Sequence, residues 1–188
     1  MRSALVAGLI LAALPLVQGC APVAAGAAGT GALIAEDRRS SGTYIDDQGI
    51  ELKAGNRVSE RFRDVHVNVT SFNRVALLTG EAPDATTKAE IGQVVQGVPG
   101  VRVVQNEIAV GPVSSLSARS NDTYLTSKVK TRFIDRDKFQ VNHVKVVTEA
   151  SVVYLMGLVK RAEAKSAGEL AATTGGVARV VQVFEFID

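Results

Sequence analysis

The sequence predicts an α+β fold, a two-layer α/β sandwich that occurs twice along the chain. Three observations lead to this prediction. One stretch of residues recurs at a constant spacing, as in the 77 residues from Gly80 to Gly157. Each copy shows the same order of helical and strand-like hydrophobic periodicity. Turn-forming residues separate these segments, so each copy reads as helix, strand, strand, helix, strand.

The repeat is clearest in an apolar run that ends in glycine. Residues 75–80 (VALLTG) of the first copy correspond to residues 152–157 (VVYLMG) of the second. At the same spacing, His66 aligns with His143. Upstream of the histidines the spacing falls to 75, so we expect a slightly longer loop after the first helix of the second copy.

The first copy begins with helical spacing over residues 46–61. Ile50, Ala54 and Val58 lie four residues apart, which places them on one face of a helix. Valines then alternate with polar residues over 65–70, as in a half-buried strand. The remaining predicted elements are a tight turn at 73–74, a strand over 75–79, a helix from 83 to about 96 and a strand over 101–110.

The second copy follows the same pattern. Leu125, Val129 and Phe133 form the apolar stripe of a helix predicted over 122–134, with residues 121–122 as its N-cap. A turn at 149–151 precedes a strand over 152–156, and a glycine pair at 175–176 precedes the last strand. We therefore expect two helices packed on a three-stranded mixed sheet in each copy.

The N-terminus has the layout of a secretory signal peptide over residues 1–19. Leu16-Val17-Gln18-Gly19-Cys20 resembles a bacterial lipobox, in which lipid is attached to the cysteine, so we predict lipidation of Cys20, the only cysteine of the chain. A transmembrane anchor is a poorer fit, because the apolar run is shorter than about 20 residues. A plain signal peptide is the other alternative, and it would leave a lone thiol in an oxidising compartment.

The predicted domain boundaries follow from composition. Small residues with Gly and Pro after Cys20 favour a flexible linker over 20–42, with an arrangement along the lipid surface as the lesser alternative. The two repeat copies would then occupy residues 43–111 and 119–188.

The repeat motifs resemble the BON domain (bacterial OsmY and nodulation). The matching features are the apolar-Gly endings at 78–80 and 155–157 and the glycine-valine turns at 97–101 and 175–180, within a resemblance that covers about residues 43–188. With the lipobox, the chain is similar to dual-BON outer-membrane lipoproteins. Two departures are Tyr124, where such a lipoprotein has tryptophan, and the lack of a Pro-Gly pair in the second copy.

The resemblance implies a function and a location. BON domains are regarded as phospholipid-binding modules, so we expect a lipid-anchored protein of the outer membrane, facing the periplasm, that supports envelope integrity. Ala21 after the lipidated cysteine fits the outer-membrane pattern better than Asp would.

Residues that carry chemistry are scarce. His66 and His143 are the only histidines, one in each copy, and we expect a structural or solvent-facing role for both. The sequence shows no metal-ligand spacing, no catalytic arrangement and no cofactor motif, and Gly175-Gly176 fits a turn better than a phosphate loop. We therefore predict a non-enzyme without catalytic residues, metal or cofactor.

Charge differs between the two copies. Residues 41–118 contain seven basic and nine acidic residues, whereas residues 119–188 contain eleven basic and eight acidic residues. Excess positive charge in an envelope protein favours anionic phospholipid as the partner. Nucleic acid is not expected, because an exported lipoprotein does not normally meet it.

The helix predicted over 122–134 provides the candidate lipid-binding residues. The face opposite its apolar stripe combines apolar and basic side chains, which suits a peripheral membrane contact. The alternatives are that Tyr124 and Ile134 are buried against the first domain, that the same surface binds an envelope protein as a chaperone-like module, or that the protein is a spacer without a ligand. The predicted phospholipid-binding residues are Tyr124, Ser127, Lys128, Lys130, Thr131 and Ile134.

Overall fold

The computed structural model describes residues 37–136 and 139–188. The predicted signal peptide, Cys20 and most of the predicted linker lie outside the described residues. Residues 38–188 form one compact unit. Within the described part of the chain, every helix is too short or too polar to cross a bilayer.

The order of elements confirms the predicted repeat, and helix, strand, strand, helix, strand occurs twice. The third strand of the first copy is split into two short strands. The elements are α1 (Ser41–Arg61), β1 (His66–Phe72), β2 (Val75–Ala82), α2 (Ala85–Gln96), β3 (Val103–Asn106), β4 (Ala109–Val110), α3 (Leu116–Arg136), β5 (Lys145–Glu149), β6 (Val152–Val159), α4 (Arg161–Ala172) and β7 (Arg179–Phe186).

Each copy forms one mixed sheet, as predicted. In the first, β2 is central, antiparallel to β1 and parallel to β3 and β4. In the second, β6 is central, antiparallel to β5 and parallel to β7. The interruption between β3 and β4 brings the Ile108 side chain into the core beneath α2, whereas β7 is continuous.

The helices of each copy cover one face of their own sheet. Ile50, Ala54 and Val58 of α1 pack with Ala76 and Leu78 of β2. The second copy has the same arrangement, because Val129 and Phe133 of α3 pack with Val153 and Leu155 of β6. The periodicity of four in the helices and of two in the strands therefore produces two similar cores.

The opposite faces of the two sheets pack against each other. Leu77 of β2 and Tyr154 and Met156 of β6 belong to one buried apolar cluster, together with Phe72 and Val75. The layers therefore run helices, sheet, sheet, helices, and the two central strands are buried on both faces. Both sheets supply apolar side chains on their two faces, which is what stacking of two sheets requires.

Polar contacts surround this apolar interface. The Arg38 guanidinium donates to both carboxylate oxygens of Glu163, at 2.6 and 2.8 Å, which is a bidentate pair. Lys145 Nζ donates to Glu51 Oε1 at 2.7 Å. Arg38 lies within the predicted linker, so the last residues of that segment are part of the folded unit.

A buried aspartate in each first helix binds the neighbouring hairpin turn. The turn residues Asn73 and Arg74 have φ of 50° and 63°, as in a type I′ turn, and both amides donate to the Asp47 carboxylate. In the second copy the amides of residues 150 and 151, with φ of 48° and 61°, donate to Asp122. Each carboxylate stabilises a turn that lacks the usual glycine.

Both first helices begin earlier than predicted. Helix α1 begins at Ser41 instead of residue 46, with Ser40 as its N-cap. Helix α3 begins at Leu116, where the Ser115 hydroxyl accepts from the amide of residue 118. The prediction that residues 121–122 form the N-cap of α3 was wrong. Asp122 lies inside the helix, and its carboxylate accepts hydrogen bonds from the hairpin amides and not from the first turn of α3.

The histidines occupy equivalent places, as the repeat predicts. A Cβ on Gly80 would lie 2.0 Å from the His66 carbonyl oxygen, and a Cβ on Gly157 would lie 2.3 Å from that of His143. These close approaches require glycine at the end of each apolar run. His66 lies in β1, whereas His143 lies in a short 3₁₀ turn before β5 and not in a strand.

Candidate functional site

Helix α3 separates its buried and exposed residues as predicted. Leu125, Val129 and Phe133 are buried, and the Phe133 ring packs edge-on against Phe139 with a centroid distance of 5.0 Å. On the other side, the side chains of Tyr124 and Ile134 are 62% and 63% exposed. The alternative in which these two residues are buried against the first domain is therefore wrong.

The predicted binding residues lie on one side of this helix. Ser127, Lys130 and Thr131 are exposed, whereas Lys128 is half-buried. The Lys128 ammonium donates to the carbonyl oxygen of Gly175 at 2.6 Å and lies 5.4 Å from the centroid of the Tyr124 ring. Lys128 therefore supports the aromatic ring and the turn before β7, and Lys130 is the ammonium that points to solvent.

Four hydroxyl groups on this side bond to the helix itself. Each donates to the carbonyl oxygen four residues earlier, at 2.9 to 3.1 Å. This pattern satisfies the O–H donors without water and leaves the Thr methyl groups at the surface. The face is therefore less polar than its composition indicates. The four residues are Ser120, Thr123, Ser127 and Thr131.

The sequence prediction missed the first turn of this face. Leu116 is strongly exposed and lies four residues before Ser120. It points in the same direction from the helix axis as Ile134, 18 residues later. An α-helix turns by about 100° per residue, and on this basis six exposed positions between Leu116 and Ile134 fall within a sector of about 80°. We call these residues the outer face of α3: Leu116, Ser120, Tyr124, Ser127, Thr131 and Ile134.

The outer face of α3 lies in a basic environment. The helix contains five basic and two acidic residues. Arg132 donates to the carbonyl oxygen of Leu170 and to Thr174. Among the described residues, none accepts a hydrogen bond from Lys130, so its ammonium is available at the edge of the face. The arrangement combines apolar groups at both ends with a cation and internally bonded hydroxyls, which can adsorb to an interface that is part apolar and part anionic.

This chain is similar to known proteins over most of its length. The family model of the BON domain matches residues 46–112 and 121–188. The chain is 33% identical to the outer membrane lipoprotein DolP of Haemophilus influenzae, over 96% of this chain and 95% of that protein. It is 29% identical to a 21 kDa hemolysin of Actinobacillus pleuropneumoniae, over 80% and 79% of the two chains.

Two further similarities are to a curated protein and to a solved structure. The chain is 28% identical to osmotically-inducible protein Y of Escherichia coli K12, over 74% of this chain and 72% of that protein. Among solved structures, CdsD, a structural protein of the type III secretion system of Chlamydia trachomatis, matches with a TM-score of 0.30 and 11% identity, over 72% of this chain and 91% of that one. A likeness of that size carries no argument about function.

Proposed function

The chain belongs to the BON-domain family and carries two copies of the domain, and on this premise we propose a lipid-anchored outer-membrane protein. Its second domain binds anionic phospholipid and supports the integrity of the outer membrane. The similarity to an outer membrane lipoprotein over almost the full length of both chains supports the location. The lipobox-like segment ending at Cys20 supports the anchor.

The outer face of α3 is the observation that carries the lipid-binding part of the proposal. Tyr124 and Ile134 are large, exposed and apolar, and Lys130 stands between them along the helix. A tyrosine suits the boundary between head groups and acyl chains, because its ring is apolar and its hydroxyl is polar. Each Lys or Arg near an anionic surface contributes roughly 1 kcal/mol to binding.

The layer order supports a role for the second domain alone at one membrane surface. The helices of the two copies lie on opposite outer sides of the stacked sheets. Helix α1 therefore faces away when α3 lies on a bilayer. Helix α1 is also the more acidic of the two, with four acidic and three basic residues.

Liposome sedimentation tests the proposal. Residues 21–188 should sediment with vesicles that contain phosphatidylglycerol and not with phosphatidylcholine alone, and high salt should weaken binding because screening acts over roughly 8 to 10 Å. Tyr124→Glu and Ile134→Glu should each lower affinity about tenfold or more, since each loses an apolar anchor worth roughly 1.5 kcal/mol and gains like-charge repulsion.

The matched control is Leu52→Glu on α1. Leu52 is 67% exposed, so the same chemical change is made on the equivalent helix of the other domain, and we expect unchanged binding. Circular dichroism shows whether each variant is folded. If Tyr124→Glu and Ile134→Glu remain folded and bind anionic vesicles as tightly as the wild type, the outer face of α3 is not a lipid site, and binding of an envelope protein becomes the better hypothesis.

Cys20→Ala tests the anchor separately. Removal of the sulfur should leave an uncut or soluble protein, because the lipid has no attachment atom. Fractionation of membranes and periplasm measures this, and a processed mutant bound to membranes at the wild-type level contradicts the lipobox prediction.

A further inference from the structure

Three titratable side chains that are distant in sequence meet between the two domains. His66 is at the start of β1, Glu81 is near the end of β2, and Glu149 ends β5 of the other domain. His66 Nδ1 forms a hydrogen bond with Glu81 Oε2 at 3.2 Å and lies 3.8 Å from Glu149 Oε1. One ligand atom from each of the three lies within 4.8 Å of the others. We call them the His66 cluster.

The two carboxylates of the cluster are buried and held in place. Glu81 and Glu149 are both only 6% exposed, and Glu81 Oε2 accepts from the Ser114 amide at 3.1 Å. Glu149 Oε2 accepts from Asn68 Nδ2 at 2.9 Å and from Thr79 at 3.3 Å, so Oε1 is the oxygen turned toward His66. Partners of this kind are what orients a metal-binding carboxylate.

The charges around the cluster do not balance. Asp122 and Arg119 line the neighbouring cavity with His66 and Glu149. Among these groups, the carboxylates of Glu81, Glu149 and Asp122 outnumber the Arg119 guanidinium by two. A divalent cation supplies the missing charge.

The geometry fits a small transition metal. Bonds of about 2.0–2.1 Å in a tetrahedral site place neighbouring ligand atoms about 3.3 Å apart. The distances from His66 Nδ1 to the two carboxylates, 3.2 and 3.8 Å, are close to this value, and the two carboxylates, within 4.8 Å of each other, would turn toward a bound ion. The neighbouring cavity of about 250 Å³ has room for water as a fourth ligand. An imidazole with two carboxylates suits Zn²⁺ better than Mg²⁺ or Ca²⁺, which prefer oxygen ligands alone.

We propose that His66, Glu81 and Glu149 bind one divalent transition-metal ion of the Zn²⁺ class, and that this ion links the two BON domains. Two ligands come from the first sheet and one from the second. The ion therefore adds a cross-link beside the apolar interface formed by β2 and β6. The site is independent of the lipid-binding surface, which lies on the exposed side of α3.

Among residues 37–136 and 139–188, the second domain has no equivalent cluster. At the repeat spacing, the counterpart of Glu81 is Leu158 and the counterpart of Glu149 is Phe72. Within the described part of the chain, His143 Nδ1 lies 3.8 Å from Glu163 Oε1. His143 thus provides a matched control for His66 within the same chain.

Zinc titration of the full-length chain tests the proposal. The protein is purified in detergent with Cys20→Ser, which removes the only competing thiol, and after chelator treatment is titrated with ZnCl₂ by calorimetry. We expect one ion per chain and a melting temperature that rises with zinc. His66→Gln, Glu81→Gln and Glu149→Gln should each weaken zinc binding at least tenfold, as loss of a ligand or of its support does, whereas His143→Gln should not.

A second measurement distinguishes loss of the metal site from loss of folding. Co²⁺ absorption in the visible region should report a four-coordinate site in the wild type and disappear in His66→Gln. If Glu149→Gln fails to fold, the zinc affinity of His66→Gln decides whether the site exists. This variant is expected to fold, because the His66 side chain is only half-buried. Absence of zinc binding in the wild type, binding that survives all three substitutions, or an equal loss in His143→Gln would overturn the proposal.

Discussion

Helices α1 and α3 are equivalent elements with the same inner side and different outer sides. Both are 21 residues long, and both bury residues spaced by four against their own sheet. Both carry the aspartate that binds the hairpin amides, Asp47 in one and Asp122 in the other. The outer side of α1 exposes Ile45 and Leu52 in an acidic helix, whereas that of α3 exposes Tyr, Ile and self-bonded hydroxyls in a basic one.

The difference shows which part of the repeat is free to vary. The inner side must fill a core and bind a strained turn, so the same residue types recur at the same places. The outer side contacts only solvent or a partner, and its composition can differ in each copy. Function is therefore expected on the outer sides of the two helices, where the copies differ, and stability is expected to depend on the inner sides.

The largest effect is expected from a charge on the inner side. Leu125→Glu and Ile50→Glu should each cost about 5 kcal/mol or more of unfolding free energy, because an unpaired carboxylate would be buried. Thermal unfolding followed by circular dichroism measures this. A folded Leu125→Glu protein with near-wild-type stability would show that α3 does not pack as described.

Loss of the turn-binding aspartates should be the next largest effect. Asp47→Ala and Asp122→Ala should each cost about 2 to 4 kcal/mol, because two hairpin amides lose a charged acceptor. The loss should be greater at Asp47, which also accepts from the Ser71 hydroxyl and from Arg39. Urea unfolding distinguishes the two, and an equal or reversed order would contradict this assignment.

A smaller effect is expected from one lysine on the outer side. Lys130→Ala should weaken binding to anionic vesicles by about fivefold, which corresponds to roughly 1 kcal/mol, with no change in stability. Lys53→Ala on α1 is the control and should bind as the wild type does. Equal losses for the two variants would mean that binding depends on net charge and not on α3.

The smallest effect concerns pH. Hydrogen bonds from Arg38 are the main cause that holds the pKa of Glu163 at about 2, below its ordinary 4.5. A lowered carboxyl pKa stabilises the fold above about pH 4.5, and this contribution is lost as the pH falls toward 2. Arg38→Ala should therefore lower the melting temperature at pH 6 and approach the wild type near pH 2. A constant difference across this range would contradict the pairing.

The sequence determined most of the fold because its signals are local. The spacing of Ile50, Ala54 and Val58, the alternation in the strands and the repeat spacing fix the order of elements and the inner side of each helix. The candidate surface was predicted in the same way, since helical phase places Tyr124 and Ile134 opposite Leu125. The start of α3 was not predicted correctly. Asp122 has the residue type of an N-cap, but it accepts hydrogen bonds from a turn that is distant in sequence.

Only the tertiary structure decided how the two copies meet. Alternation places Leu77 and Tyr154 on the second face of each sheet, but nothing local tells whether that face is covered by its own domain, by the other or by solvent. The same holds for His66, Glu81 and Glu149, which approach one another because two sheets stack and not because of their spacing along the chain. Periodicity is a property of neighbours in sequence, whereas stacking depends on the shape and charge of complete surfaces.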